Sequence, residues 1–115
     1  MKIAISSTGA TLDDRVHNLF GRCDFFLVVD TETMESKAVK NEFADTASGA
    51  GTGCAQVLFN EGVKAVISGQ VGPKAYEVLT QSGTEILLSP PGITVREAVT
   101  KHKEGSLRKM AVTRF

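Results

Sequence analysis

The stretch Val63-Lys-Ala-Val-Ile-Ser-Gly-Gln-Val-Gly-Pro73 decides the fold, because it joins a strand to a helix through a short glycine loop. The branched apolar residues over 63–68 are typical of a buried strand. Pro73 suits the first turn of a helix, which Gly83 would end. A further strand is predicted over 85–88, so this region indicates a strand–helix–strand unit with two parallel strands.

The rest of the chain extends this unit on both sides. Before it we predict strands over 2–6, 25–30 and 36–41, a helical turn near Asp13 and Asp14, and a helix from Cys54 to Asn60. After it, Thr94 and Glu97 have the spacing of a capping box, which predicts a last helix to Lys103. The second and third strands should form a hairpin. We therefore predict one α/β domain over 1–108 and a tail over 109–115, with a mixed five-stranded sheet in which strand two is antiparallel.

Composition excludes several classes of partner. The 115 residues carry 13 basic and 13 acidic side chains, and this zero net charge disfavours nucleic acid. No window approaches the roughly 18 apolar residues of a membrane span. We expect a cytoplasmic protein whose two cysteines stay reduced.

The predicted topology gathers the loops at one edge of the sheet. The ends of strands one, three, four and five and the start of strand two would all lie there. The loops concerned are 7–14, 20–24, 42–53, 69–73 and 89–94. Open α/β sheets usually bind ligands at such an edge, so this is where we expect a site.

The glycine-rich stretch over 48–59, SGAGTGCAQVLF, falls in one of these loops. It is not a nucleotide loop, because Gly53 is followed by Cys54 and Ala55 instead of a lysine and a hydroxyl residue. Its spacing and position also differ from those of a dinucleotide fingerprint. Two interpretations stay open: a seat for an anion on exposed N–H groups, or a turn that needs positive φ.

Three side chains could ligate metal at this edge: Cys23, Cys54 and His17. Cys54 begins a helix, where the dipole favours a thiolate, and Cys23 follows Arg22. No CxxC or HxxxH spacing is present, and both cysteines could equally be small buried hydrophobic residues. Enzymatic activity is not predicted, since the chain lacks the clustered carboxylates of acid–base or two-metal chemistry. A thiol enzyme is a third alternative.

Several segments in order resemble the dinitrogenase iron–molybdenum cofactor biosynthesis family, which includes carriers and insertion-related proteins. They are MKIAIS (1–6), Leu12-Asp-x-x-Val16, Phe20-Gly-Arg22, FFLVVD (25–30), Gly49-Ala-Gly51, Gly62-Val, VISGQVGPKA (66–75) and Thr94-Val-Arg-Glu-Ala98. The resemblance implies a three-layer α/β/α, ribonuclease-H-like fold and a cluster-binding role without catalysis. Many members have a histidine before Phe-Gly-Arg, where this chain has Leu19.

These observations lead to one leading hypothesis. The protein would carry an iron–sulfur or iron–molybdenum type cluster, or its precursor, and a cofactor-biosynthesis protein would be its partner. Cys23, with Cys54 or His17, would ligate metal. Arg22 and the N–H groups of Gly49, Gly51 and Gly53 would neutralise the cargo's charge. The alternative is a binding module for a small anion, a nucleotide or a partner protein, with structural cysteines.

Overall fold

A computed structural model describes residues 1–46 and 49–110 of the chain. In chain order the described elements are β1 (Lys2–Ser7), β2 (Phe25–Asp30), β3 (Ser36–Lys40), α1 (Ala50–Asn60), β4 (Ala65–Ser68), α2 (Pro73–Gln81), β5 (Glu85–Leu88), α3 (Val95–Glu104) and β6 (Arg108–Lys109). The fold is α/β with a mixed sheet, as predicted.

The sheet has the strand order β3-β2-β1-β4-β5-β6. β2 runs antiparallel to both β1 and β3, while β4 lies parallel to β1 and β5 lies parallel to β4. The hairpin and the antiparallel second strand are therefore confirmed. β1 and β4 occupy the centre, which explains why their residues are apolar on both faces.

The prediction of five strands was wrong, because Arg108 and Lys109 add a sixth strand antiparallel to β5. The N–H of Met110 donates to the carbonyl of Ile86 at 2.9 Å, and Lys109 pairs with Glu85 at 2.9 Å. Two exposed basic residues give no alternating apolar pattern, so sequence alone could not reveal this edge strand. The predicted tail thus begins within the sheet, and 111–115 lie outside the described residues.

Helices cover both faces of the sheet in three layers. On one face, Cys54, Ala55 and Leu58 of α1 and Ala75 and Leu79 of α2 pack over a core that includes Phe26 and Val66. On the other face, α3 buries three side chains against a second core: Val95, Ala98 and Val99. The finer ribonuclease-H-like assignment stays a prediction.

Two local features differ from the sequence-based expectation. α1 begins at Ala50 and not at Cys54, since Gly49 makes the turn with φ 78°. No helix forms near Asp13 and Asp14; residues 11–14 make a single hydrogen-bonded turn, in which the Asp14 N–H donates to the Thr11 carbonyl at 3.1 Å and the Asp14 carboxylate accepts from the Thr11 N–H at 2.9 Å. The capping box of α3 is confirmed, with the Glu97 N–H donating to Thr94 Oγ1 at 3.1 Å. Within the described residues, no helix is long and apolar enough to cross a membrane.

The core of α1 supplies a direct test of this packing. Leu58 is 1% exposed and its neighbour Phe59 is 54% exposed. We expect Leu58→Ala to lower the free energy of unfolding by about 2–5 kcal/mol, because it removes buried methyl groups and leaves a cavity. Phe59→Ala is the matched control and should change it by no more than about 0.5 kcal/mol. Chemical denaturation measures both, and equal losses would contradict the packing described.

Candidate functional site

The predicted gathering of loops at one sheet edge is confirmed by backbone contacts between them. The N–H of Phe20 donates to the carbonyl of Gln70 at 2.9 Å, and that of Val16 donates to Ile93 at 2.9 Å. The loops after β1, β4 and β5 are thus tied together. Since β1, β4 and β5 are parallel, their carboxyl ends share this edge.

A groove of about 430 Å³ opens at this edge, and we call it the loop-edge groove. Its lining consists of Phe20, Arg22 and the N-terminal ends of two helices. These ends are residues 49–52, from the N-cap into α1, and residues 72–75, from the N-cap into α2. The two helices reach the groove by their N-terminal ends. Both ends therefore present the positive pole of a helix to the same space.

Neither helix end is capped by a side chain, because Gly49 and Gly72 are the N-cap residues. In any α-helix the first N–H groups have no intrahelical acceptor. Here those groups belong to residues 50–52 of α1 and to Lys74 and Ala75 of α2, since Pro73 has no N–H. The groove thus offers main-chain donors that a side-chain oxygen would otherwise occupy.

Glycine is required where these elements approach one another. A Cβ at Gly51 would lie 2.9 Å from the Cβ of Ala75, closer than real contacts allow. A Cβ at Gly21, which has φ +98°, would lie 3.2 Å from the Gly51 nitrogen. Any larger side chain at Gly51 would push the two helix ends apart and widen the groove.

Arg22 brings a fixed positive charge to the groove. Its Nη1 donates to the carbonyls of Ala44 at 2.9 Å and Thr46 at 2.5 Å, which anchors the side chain. A guanidinium has five N–H donors, so its other nitrogens can still bind a ligand. Lys74 is a second, exposed cation of the lining, and within the described residues neither cation forms an ion pair.

The other two glycines named from sequence have different surroundings. Gly49, at φ +78°, has open space where a Cβ would be, and it lines the groove. Gly53 does not line it: a Cβ there would lie 2.7 Å from the Phe43 ring. Its structural role is to let this ring pack directly on α1.

Cys23 and Cys54 lie beneath the edge and share one partner, Asn41. The Cys54 thiol donates to Asn41 Oδ1 at 3.2 Å, and Asn41 Nδ2 lies 3.9 Å from the Cys23 sulfur. The same Nδ2 donates to the carbonyls of Cys23 at 2.8 Å and Gly21 at 3.0 Å. A single buried amide at the end of β3 therefore connects both cysteines and the loop before β2.

Both thiols are held in the protonated form. Cys23 is fully buried, and this desolvation, with the nearby Cys54, raises its pKa to about 12. Burial likewise raises the pKa of Cys54 to about 11, although the Asn41 hydrogen bond and the Arg22 charge oppose the rise. The helix dipole does not overcome burial here.

His17 forms hydrogen bonds with Ser6 and Leu19 and not with the two cysteines. Its backbone binds Ser6 at the end of β1, and its Nδ1 accepts from the Leu19 N–H at 3.0 Å. Across residues 1–46 and 49–110, no group of three or more His, Cys, Asp or Glu side chains could hold a metal ion. The structure thus brings Cys23 and Cys54 together without His17.

Sequence reasoning missed Asn41, Lys74 and Phe20 as parts of this region. The sequence predicts Asn41 as the last residue of a strand, although an Asn side chain often hydrogen-bonds the backbone two residues on, as Asn41 Oδ1 does with the Phe43 N–H at 2.9 Å. Lys74 could have been found from the helix that Pro73 begins, since it occupies its first turn. Phe20 begins the loop over 20–24 that the sequence predicts at this edge, but no pattern marks its own side chain as part of a groove.

The raised thiol pKa values predict a loss of stability at high pH. The folded pKa values lie above the ordinary 9.0, so the folded state retains these protons as pH rises. The two protonated thiols contribute fully to the free energy of unfolding below pH 9. This contribution falls as pH rises from 9 toward the folded pKa values of about 11 and 12, by at most about 1.4 kcal/mol per pH unit per thiol. Denaturation under reducing conditions at pH 8 to 10.5 measures this loss.

The control for this experiment is the Cys23→Ala, Cys54→Ala double variant. It keeps every other side chain of the wild type but lacks both thiols. Its stability should fall less steeply above pH 9 than that of the wild type. Equal slopes for the two proteins would show that the thiols do not contribute.

Comparison with known proteins agrees with this fold. An uncharacterized protein of Methanocaldococcus jannaschii is 31% identical over 113 residues, 95% of each chain. The apo form of the orange protein from Desulfovibrio gigas has a TM-score of 0.92 and 37% identity, covering 96% of this chain and 92% of its own. A Thermotoga protein provisionally assigned as a NifB protein has a TM-score of 0.85 and 35% identity, covering 98% and 97%. The sequence profile of the dinitrogenase iron–molybdenum cofactor family matches residues 1–105. The chain therefore belongs to the dinitrogenase iron–molybdenum cofactor family.

Proposed function

We propose that this protein is a non-catalytic carrier that holds an anionic metal–sulfur cofactor, of iron–sulfur or iron–molybdenum type, or its precursor. The cargo would sit in the loop-edge groove. One observation carries the proposal: two helix N-termini with glycine N-caps meet Arg22 and Lys74 on one groove, and neither cation forms an ion pair with any residue of 1–46 or 49–110. The family of the chain supports a cofactor as the class of cargo.

The groove matches the chemistry of such a cargo. Metal–sulfur clusters carry negative charge, and their sulfur atoms accept hydrogen bonds from N–H donors. The groove offers main-chain N–H groups, two positive helix poles and an anchored guanidinium, all of which favour an anion. Because it is open to solvent, the cargo can leave as well as enter.

Metal ligation by Cys23, Cys54 or His17 remains a prediction within this proposal. Both thiols are buried and protonated, so ligation would require the Asn41 contacts to open and the thiols to lose protons. Main-chain donors and cations need no such rearrangement. We therefore propose that the groove makes the first contact with cargo and that any thiolate bond forms afterwards.

A carrier needs a second protein that supplies or receives its cargo. We propose a cofactor-biosynthesis protein for this role, in the cytoplasm, where thiols stay reduced. The exposed apolar side chain of Leu19, 40% exposed, lies beside the groove with Phe20, Val71 and Met110. This apolar border would be covered when the partner docks over the cargo.

Anaerobic reconstitution tests the groove. Protein incubated with ferrous iron and sulfide, with and without molybdate, is desalted and then assayed by visible absorption and by iron and acid-labile sulfide content. We expect bound chromophore in the wild type. An Arg22→Gln, Lys74→Gln variant should bind about tenfold or more weakly, because it loses two charge-assisted contacts.

Two further variants make this result specific. Lys64→Gln removes an exposed cation near the start of β4, far from the loop edge, and should bind as the wild type does. The single variant Lys74→Gln leaves the Arg22 contacts to Ala44 and Thr46 intact. Weaker cargo binding by this variant therefore cannot be ascribed to damage to the loop that Arg22 anchors. Unchanged binding in both charge variants would refute the groove as the cargo site.

The Cys23→Ala, Cys54→Ala variant distinguishes cargo binding by the groove alone from binding that includes thiolate ligation. If the groove alone holds the cargo, this variant should retain the chromophore and its spectrum. A lost or shifted charge-transfer band, with Arg22 and Lys74 intact, would establish thiolate ligation.

The alternative is a binding module for a small anion or nucleotide with structural cysteines. Its specific support is the full burial of both thiols and their raised pKa values. This function predicts a raised Tm with phosphate-bearing compounds and no response to iron and sulfide. The reverse pattern would exclude it.

A further inference from the structure

We propose a second binding site, for a small phosphate monoester, in a cavity between α3, the end of β5 and β6. This α3–β6 cavity has a volume of about 370 Å³, and its lining includes Lys101, Arg108, Ser106, Leu88, Leu107 and Pro90. It shares no lining residue with the loop-edge groove. The proposal therefore goes beyond the carrier function and does not depend on it.

The turn after α3 brings the two cations of the cavity together. Gly105 adopts the left-handed conformation with φ 72° and ends the helix. The N–H and hydroxyl of Ser106 both donate to the carbonyl of Lys101, at 3.0 and 3.2 Å. The chain then pairs with β5 through Arg108 opposite Leu88. Backbone geometry thus fixes Lys101 and Arg108 on one cavity.

The described side chains neutralise the positive charge of this cavity only in part, because Lys101 interacts with the charge of Glu97 but lies outside ion-pair distance of it. Lys109, next along the strand, pairs with Glu85, but in the described part of the chain neither Lys101 nor Arg108 forms an ion pair. Among the residues that the structure describes, those lining the cavity include no carboxylate. On α3, Glu97 serves the capping box and also interacts electrostatically with Lys101, but neither Glu97 nor Glu104 lines the cavity. An anion is the missing partner of these two charges.

The lining also specifies the class of anion. An Arg guanidinium can bind two phosphate oxygens at once, and a Lys ammonium adds a point charge beside it. Leu88, Leu107 and Pro90 form an apolar wall, which suits the organic part of a ligand. A phosphate carried on a small apolar group matches both the two cations and the apolar wall, whereas inorganic phosphate matches only the cations.

Titration with phenyl phosphate, followed by the amide resonances of the isotope-labelled protein, tests the proposal. We expect saturable shifts at residues 88–89, 101 and 106–108, and weaker binding of inorganic phosphate. Lys101→Gln should weaken phenyl phosphate binding about tenfold, and added salt should weaken it further. Lys103→Gln, an exposed cation on the same helix that does not line the cavity, is the matched control and should bind normally.

An Arg108→Gln variant provides the second measurement. The amide shifts of Glu85 and Lys109 report whether β6 remains paired in it. Loss of binding with β6 intact would support the site. Unchanged affinity in both Lys101→Gln and Arg108→Gln, or shifts confined to residues 49–52 and 72–75, would overturn it without affecting the carrier proposal.

Discussion

The burial of β1 between an antiparallel and a parallel neighbour is the constraint on which the rest of this structure depends. Residues 3–7 are almost completely buried, so β1 cannot move to an edge of the sheet. Its parallel pairing with β4 requires a crossover, which includes α1. Its antiparallel pairing with β2 places the start of β2 at the edge where β1 ends, and β3 then returns the chain to that edge. The loops meet there as a geometric consequence.

The positions of the glycines then convert this edge into a groove. Gly21, Gly51 and Ala75 approach so closely that two helix ends and one loop share a single small space. A glycine N-cap, unlike a serine or aspartate, leaves the first-turn donors unoccupied, at some cost in helix stability. Both helices have such an N-cap, Gly49 in α1 and Gly72 in α2. Arg22 adds a positive charge to the groove at which their first-turn N–H groups lie.

Much of this arrangement could be predicted from the sequence, because it depends on local patterns. The apolar strands, the hairpin and the Thr94–Glu97 capping box each have a short-range signature, and the loop edge follows from their order. Features that depend on tertiary contact could not be predicted. β6 consists of two charged residues paired with β5, and the first turn of α1 contains Gly51, Thr52 and Gly53, which have poor helix propensity. Asn41 joins cysteines that lie far apart in the sequence.

Under the proposed carrier function, the separation between the groove and the thiols affects how the cargo would be exchanged. A cargo held by N–H groups and cations is bound by electrostatic attraction, which is reversible and weakens with ionic strength. A thiolate bond at Cys23 or Cys54 would be much harder to break, and burial under Asn41 opposes its formation. The same fold thus keeps its strongest potential metal ligands out of contact with solvent. A carrier that must release its cargo benefits from this arrangement, since the accessible contacts are the ones that a receiving protein can displace.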